Sequence, residues 1–314
     1  MRIKLLFLFI FTLSLTKGQD EPLFILQGHS GGINSIALSP DGKTLVSGSK
    51  DETIRFWDLE KKESIKSIVI DHSSVKRVSF NKDASKLLIS IYERFAEIDI
   101  KSGKKKLSKK KSHTAFAETS IYSEAGDFIL TSSWRDNTLS IWKSSNFKKV
   151  IDLKEIYWVD NALFNKKGNI VYSGGHDNQI KAWDVTTGNM IYALAGHDDW
   201  VYDIALSSDE KFIYSAGFDK LIKVWDLNSR KNIATLKGHS EGVVCIDISP
   251  DGKWLASGGT DKEIIIWNLS DNSEVKRIKA HADAVTDLKF SKDSKTLYSA
   301  SLDKTIKGWN LLEL

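Results

Sequence analysis

The 314-residue sequence has a single cysteine and only three prolines. One cysteine cannot form an intramolecular disulfide, so a cross-linked mini-scaffold is excluded. Cys245 lies in the apolar run VVCIDI, where a buried, inert thiol is expected. With so few prolines there is no Pro-rich linker, and nothing else reads as a joint between domains. A strong charge of one sign is also missing. The formal +4 depends on Arg2, Lys4 and Lys17, and without them 42 basic residues face 41 acidic ones. Seven of those lysines fall within KSGKKKLSKKK, residues 101–111, so the rest of the chain is mildly acidic. A broadly basic, nucleic-acid-binding surface is therefore not expected.

Long apolar runs are absent except at the start. In MRIKLLFLFIFTLSLTKGQD a basic pair precedes the apolar stretch Leu5 to Leu15, and small residues follow. That pattern is expected of a secretory signal peptide over 1–18, cut between Gly18 and Gln19. The run is shorter than the roughly 20 residues of a membrane span. An uncleaved N-terminal anchor is the alternative. The expectation is an exported protein, periplasmic or secreted, that meets a membrane only through its leader.

What the sequence does have is a repeat. Trp183, Trp225, Trp267 and Trp309 stand 42 residues apart in IKAWDV, IKVWDL, IIIWNL and IKGWNL. IRFWDL at Trp57 and LSIWKS at Trp142 match them, and the gap between these two leaves room for a copy with Ile98 in the Trp position. Seven such units fill residues 19–314. Within each unit the period is two, and turns such as SPDG at 39–42 and 249–252 separate the short strands. Four strands per unit, repeated radially, limit exposed sheet edges.

On these motifs the chain resembles the WD-repeat β-propellers, G-protein β subunits among them, over nearly its whole mature length. The resemblance implies an all-β, seven-bladed ring. It also implies a hydrogen-bonded lock in each blade made of His, Ser or Thr, Asp and Trp. The matching sets are His29, Ser47, Asp51, Trp57; His113, Ser132, Asp136, Trp142; His197, Ser215, Asp219, Trp225; His239, Ser257, Asp261, Trp267; and His281, Ser299, Asp303, Trp309. An indole N–H can donate to the hydroxyl, which in turn reaches the imidazole, so each buried polar atom finds a partner. Repetition in many blades argues against a metal or catalytic role for these residues. The chain reaches only a third strand in its last blade, so PLFILQ, residues 22–27, is expected to add the fourth and close the ring.

Two copies depart from the lock. Copy two retains His72 and Ser90 but has Arg94 for Asp and Ile98 for Trp. Copy four retains Ser173, Asp177 and Trp183 but has Glu155 near the His position, followed by Trp158 and Asp160. The family resemblance implies that partners bind on one face, at the entrance of each innermost strand and just before the lock Asp. Stepping by 42 gives Gly32, Ser74, Phe116, Trp158, Trp200, Gly242, Ala284 and then Asn34, Lys76, Glu118, Asp160, Tyr202, Val244, Thr286. Before the lock Asp, or its replacement, stand Lys50, Glu93, Arg135, His176, Phe218, Thr260 and Leu302. Blades three to five thus bring Phe116, Trp158, Trp200, Tyr202 and Phe218 beside Glu118, Asp160, Arg135 and His176.

Aromatic faces interspersed with carboxylates suit a protein or peptide ligand that presents a cationic side chain. A bland alternative is that Trp158 fills the space left by the missing His. His176, the histidine outside the repeat, is the candidate for pH sensitivity. The expectation is a monomeric, non-enzymatic scaffold without cofactor or metal. The main rival is a hydrolase in the propeller funnel using Glu118, Asp160 and His176, although no nucleophile, phosphate-loop or metal motif accompanies them. A lesser rival is an adhesin that binds polyanions through Lys101–Lys111. The structural alternative for those lysines is protection of an outer strand from edge-to-edge pairing.

Overall fold

The computed structural model describes residues 21–70, 72–108, 113, 117–133, 137–154 and 157–311. The expected leader over 1–18 therefore lies outside the described residues, as do Phe116, Arg135, Asp136 and Glu155. Seven antiparallel sheets of four strands each make the molecule a seven-bladed β-propeller. The innermost strands are Ile33–Leu38, Arg77–Phe80, Ala117–Tyr122, Val159–Phe164, Val201–Leu206, Val243–Ile248 and Val285–Phe290. Each touches the next, and the seventh touches the first, so they enclose an axial channel. Phe24–Leu26 runs antiparallel along Ile306–Asn310, with Ile25 opposite Lys307, as the outermost strand of blade seven.

The alternating pattern explains the layering. Along the second strand of each blade, as in Leu45 and Val46 or Leu255 and Ala256, both faces are buried because each sheet is covered by a neighbour on either side. Apolar clusters bridge adjacent blades. One joins Val46, Ile54 and Phe56 of blade one to Val75, Val78 and Leu87 of blade two. Gly48 is glycine for a local reason: a Cβ there would lie 2.6 Å from a Val75 methyl carbon.

Polar side chains join every pair of blades near the axis. Val78 N–H donates to Ser35 Oγ, Ser79 Oγ donates to Ser120 O, and Thr119 Oγ1 donates to Asp160 O. Asn161 Nδ2 donates to Asp203, whose other oxygen accepts from Ile246 N–H at 2.8 Å. Asp247 accepts from Phe290 N–H at 2.7 Å, and Asp287 accepts from Ile36 N–H at 2.9 Å, returning to blade one. Buried polar groups that are satisfied in this way fix register between wedges that apolar contact alone would let slide.

The lock forms in blades one, five, six and seven. In blade one His29 Nδ1 is 2.9 Å from Asp51 Oδ2, His29 Nε2 is 2.7 Å from Ser47 Oγ, and Trp57 Nε1 donates to the same hydroxyl at 2.8 Å. With Nδ1 protonated, the hydroxyl donates to Nε2 and accepts from the indole. The corresponding sets on His197, His239 and His281 repeat these distances within 0.1 Å.

Blades two and three correct the sequence reading. In blade three the hydroxyl of the lock is Thr131 rather than Ser132: His113 Nε2 lies 2.9 Å from Thr131 Oγ1, and Trp142 Nε1 donates to it at 3.0 Å. The hairpin between Phe128–Ser133 and Thr138–Lys143 is one residue longer than its blade-one counterpart, which moves Trp142 one position further along while the hydroxyl stays two 42-residue steps after Ser47. In blade two the hairpin is one residue shorter, so buried Ile89 occupies the hydroxyl position, and Arg94 begins a strand where blade one has Thr53. Ser90 instead donates to Ser120 Oγ of blade three, and His72 is exposed, outside any lock. Blade two is packed by Leu87, Ile89 and Ile98, all fully buried.

Candidate interaction site at the entry face

The face where the innermost strands begin is shaped by a bulge. Opposite Ser49 and Gly48 stand Ile33 and Ser35, leaving Asn34 unpaired, and the same shift recurs at Asp160, Tyr202, Val244 and Thr286. A bulge re-aims the extra side chain. Here it lets the bulged side chain reach the next blade, as where Asn34 Nδ2 donates to Val75 O at 2.8 Å and Thr286 Oγ1 donates to Ile33 O at 2.7 Å. In blade three the irregular stretch covers Glu118 and Thr119.

A backbone bond then joins the other two rings within blades one, four, five, six and seven. His176 N–H donates to Trp158 O at 2.9 Å, and Phe218 N–H donates to Trp200 O at 2.8 Å. Gly175 permits the first of these approaches, since a Cβ there would lie only 2.0 Å from Trp158 O. Across blades, the residue before the lock Asp packs on the entrance residue of the following blade. His176 lies on Trp200 with centroids 4.0 Å apart, Phe218 lies on Gly242, and Leu302 lies on Gly32.

These two rules produce a ladder of rings. Trp158 meets His176 at 4.9 Å, His176 stacks on Trp200, and Trp200 faces Phe218 at 5.8 Å and 23°. Tyr202 lies against His176, Trp200 and Phe218. Trp158, Trp200 and Phe218 stay 37%, 36% and 38% exposed, which for rings this large is an open apolar surface. Trp158 does not fill the lock vacancy of blade four. There Lys181 Nζ sits 2.5 Å from Asp177 Oδ2, and a cavity of about 720 Å³ opens beside Trp183 and Tyr157. Trp183 still donates to Ser173 Oγ at 2.9 Å.

Beneath the ladder are two carboxylates. His176 Nε2 lies 3.0 Å from the buried Asp160 Oδ2. Burial raises the Asp160 carboxyl above the usual range, and His176 offsets part of that rise. Glu118 is also raised by burial, against the pull of Lys76, whose Nζ is 3.3 Å away. Tyr202 is pushed up to about 12 by burial and then by Asp160, Asp199 and Glu118.

Seven of the nine residues singled out from sequence, Glu118, Trp158, Asp160, His176, Trp200, Tyr202 and Phe218, therefore occur on this face. Phe116 and Arg135 lie outside the described residues. Sequence reasoning missed Lys76 as a member of the site. It stood in the same ring one blade before Glu118, and opposite charges at neighbouring ring positions were the available signal. No group of three or more His, Cys, Asp or Glu among the described residues is placed to hold a metal. Cys245 is buried, with its thiol pushed well above the ordinary value by burial. Among the described residues no helix is long and apolar enough to cross a membrane. In the lysine run, Lys105–Leu107 forms a short exposed outer strand, with Lys106 Nζ 4.0 Å from the Phe147 ring; 109–111 lie outside the described residues.

The family model "WD domain, G-beta repeat" matches residues 20–58, 153–184, 188–226, 230–268 and 272–310. It passes over 59–152, the blades whose hairpins change length. Similar proteins include "Small ribosomal subunit protein RACK1" of Caenorhabditis elegans, 28% identical over 57% of this chain and 56% of that protein. "Ribosome biogenesis protein WDR12 homolog" of Drosophila pseudoobscura pseudoobscura is 27% identical over 60% and 49%. "Autophagy-related protein 16" of Arabidopsis thaliana is 23% identical over 58% and 36%. The matches span about half the length of these relatives or less. With its repeats matched over more than half its length, the chain belongs to the WD domain, G-beta repeat family.

Proposed function

We propose that the protein is a non-enzymatic interaction scaffold that holds a peptide or protein segment on the entry face of blades three to five, with a Lys or Arg side chain of the partner over the aromatic ladder. The observation that carries this reading is the buried Asp160 carboxylate, 3.0 Å from His176 Nε2, beside the exposed Trp158 and Trp200 rings. A carboxylate held in a low-dielectric setting adds Coulomb attraction for an incoming ammonium or guanidinium. Exposed indole faces attract the same cation. Large aromatics fixed on a rigid ring lose little entropy on binding and act as anchors.

Peptide display tests this reading. Sequences centred on Lys or Arg should be enriched on the protein and lost on the Trp158→Ala/Trp200→Ala form. Enrichment of the same sequences on both forms would place the binding surface elsewhere. We further propose export, from the basic-then-apolar pattern of residues 1–18. Mass spectrometry of protein recovered outside the cytoplasm should give an N-terminus at Gln19. Recovery only from the cytoplasm, with Met1 retained, would contradict it.

A further inference from the structure

The cavity of about 720 Å³ beside Trp183 is a groove between blades three and four. Blade three contributes the end of its outer strand, Lys149–Lys154. Blade four contributes its third strand, Gln179–Asp184, whose Gln179, Lys181 and Trp183 alternate onto one face. Met190, opposite Trp183 on the neighbouring outer strand, also lines the groove. One residue sets this place apart from its counterparts. The positions that correspond to Lys154 in blades one, five and six are Gly28, Gly196 and Gly238, where a Cβ would lie 3.5, 3.1 and 2.9 Å from the Trp57, Trp225 and Trp267 rings. There the backbone closes on the indole. Lys154 brings a Cβ and a long side chain to the same position, and no His follows it. Trp183 is accordingly the most exposed of the six strand tryptophans.

The lining combines apolar surface with free polar groups. Trp183, Tyr157 and Met190 offer two rings and a thioether, and Tyr157 and Met190 are about half exposed. The Gln179 side-chain amide makes no hydrogen bond among the described residues, although its backbone N–H donates to Asp177 Oδ1. Asp177 and Lys181 are already paired with each other, so neither offers a free charge. Lys154 has no ion pair among the described residues, but it is exposed at the rim. An aromatic side chain with a polar tip matches such a lining better than a charged one does. His176 belongs to both this groove and the ladder, since it stacks on Trp200 and also lines the cavity. Two residues of an extended chain span about 7 Å, enough to pass one ring.

We propose that the groove between blades three and four is a second subsite for the same ligand, which takes a tyrosine side chain two residues from the cation held by the ladder. The phenol ring lies among Trp183, Tyr157 and Met190, with the thioether against its edge. Its hydroxyl exchanges a hydrogen bond with the Gln179 amide, which can donate or accept. The inference rests on the reading of the ladder as a cation site and extends it to a two-point motif, a Lys or Arg with a Tyr two positions away.

The test uses the full chain and the fluorescein-labelled peptide Gly-Tyr-Gly-Lys-Gly-Tyr-Gly-amide, followed by fluorescence anisotropy. Tyrosines on both sides of the lysine make the direction of the chain immaterial. Saturable binding is expected, weakened about tenfold when both tyrosines become glycine and about threefold when they become phenylalanine. Gln179→Ala/Met190→Ala should bring the tyrosine peptide down to the affinity of the glycine peptide, and Trp158→Ala/Trp200→Ala should weaken both peptides. Equal affinity of the tyrosine and glycine peptides for the wild type would overturn the groove and leave the cation reading in place. A lysine-to-glutamine exchange in the peptide that costs nothing, while the tyrosine dependence persists, would support the groove and sink the cation reading. Tighter binding of glutamate than of tyrosine would make Lys154 the recognising group and overturn the proposal. The absence of saturable binding by the tyrosine peptide would overturn it too.

Discussion

The His176 imidazole stacks on the Trp200 indole with centroids 4.0 Å apart and planes 16° from parallel, although the two residues belong to different blades. The same relation puts Phe218 on Gly242 and Leu302 on Gly32. Blades four to six therefore build a continuous ring surface, whereas blades seven and one meet through a leucine and a glycine. The aromatic sector of blades four and five owes its shape to side-chain size at positions whose backbone geometry is shared with blades one, six and seven.

Asp160→Asn separates stability from binding. Burial raises the folded carboxyl above its unfolded value, so its contribution to stability is present below the ordinary carboxylate range and is lost as pH rises through the raised value. At neutral pH the charge is therefore a burden on the free protein. The amide should hold or raise the unfolding temperature by a few degrees while weakening a cationic partner about tenfold. In the wild type, affinity should fall with acidification at higher pH than ordinary carboxylates would give. Calorimetry and titration at several pH values check both halves.

Thr131→Val tests the lock of blade three. It leaves Trp142 Nε1 and His113 Nε2 without the hydroxyl, and should cost about 2–4 kcal/mol at nearly constant shape. Ser132→Ala removes only an acceptor for Thr119 N–H and should cost about 1 kcal/mol. Equal losses in urea denaturation would return the lock to Ser132.

Asp203 sets a pH dependence at the axis. Burial pushes its carboxyl up to about 6, against Arg77 and the Ile246 N–H. Its stability contribution is thus complete below about 4 and disappears as pH rises through about 6. His29 and His281, lowered by burial, act the other way between their folded values and 6.5, so the informative quantity is the difference from Asp203→Asn. Relative to that variant, the wild type should gain on the order of 1–3 kcal/mol between pH 7 and pH 4. A difference independent of pH would show that Asp203 titrates normally.

Removal of residues 21–27 tests the outermost strand of blade seven. Leu26 is buried against the Trp57 and Tyr298 cluster, and Leu23 N–H donates to Gly308 O at 2.7 Å. Without them the outer edge of Ile306–Asn310 is open, and the unfolding temperature should drop sharply. Unchanged melting would mean that the strand does not hold the ring.

The wheel itself was legible because six strand tryptophans recur with their polar partners at nearly constant spacing. Legibility failed where a hairpin gained or lost one residue, since Thr131 and Ile89 then replaced Ser132 and Ser90 at the hydroxyl position. The aromatic positions were readable, but the ladder's order was not, because it depends on His176 reaching across to the next blade. The axial joints were invisible for another reason: Ser35, Asn161, Asp203 and Asp287 do the same job with different side chains.

A double-mutant cycle addresses recognition of a cation by the ladder most directly. A selected Lys- or Arg-containing peptide and its neutral isostere are titrated against the wild type and Trp200→Ala. The two changes should be coupled by about 1 kcal/mol or more, since each removes the other's partner. Additivity within about 0.3 kcal/mol would mean that the cation and the indole never meet.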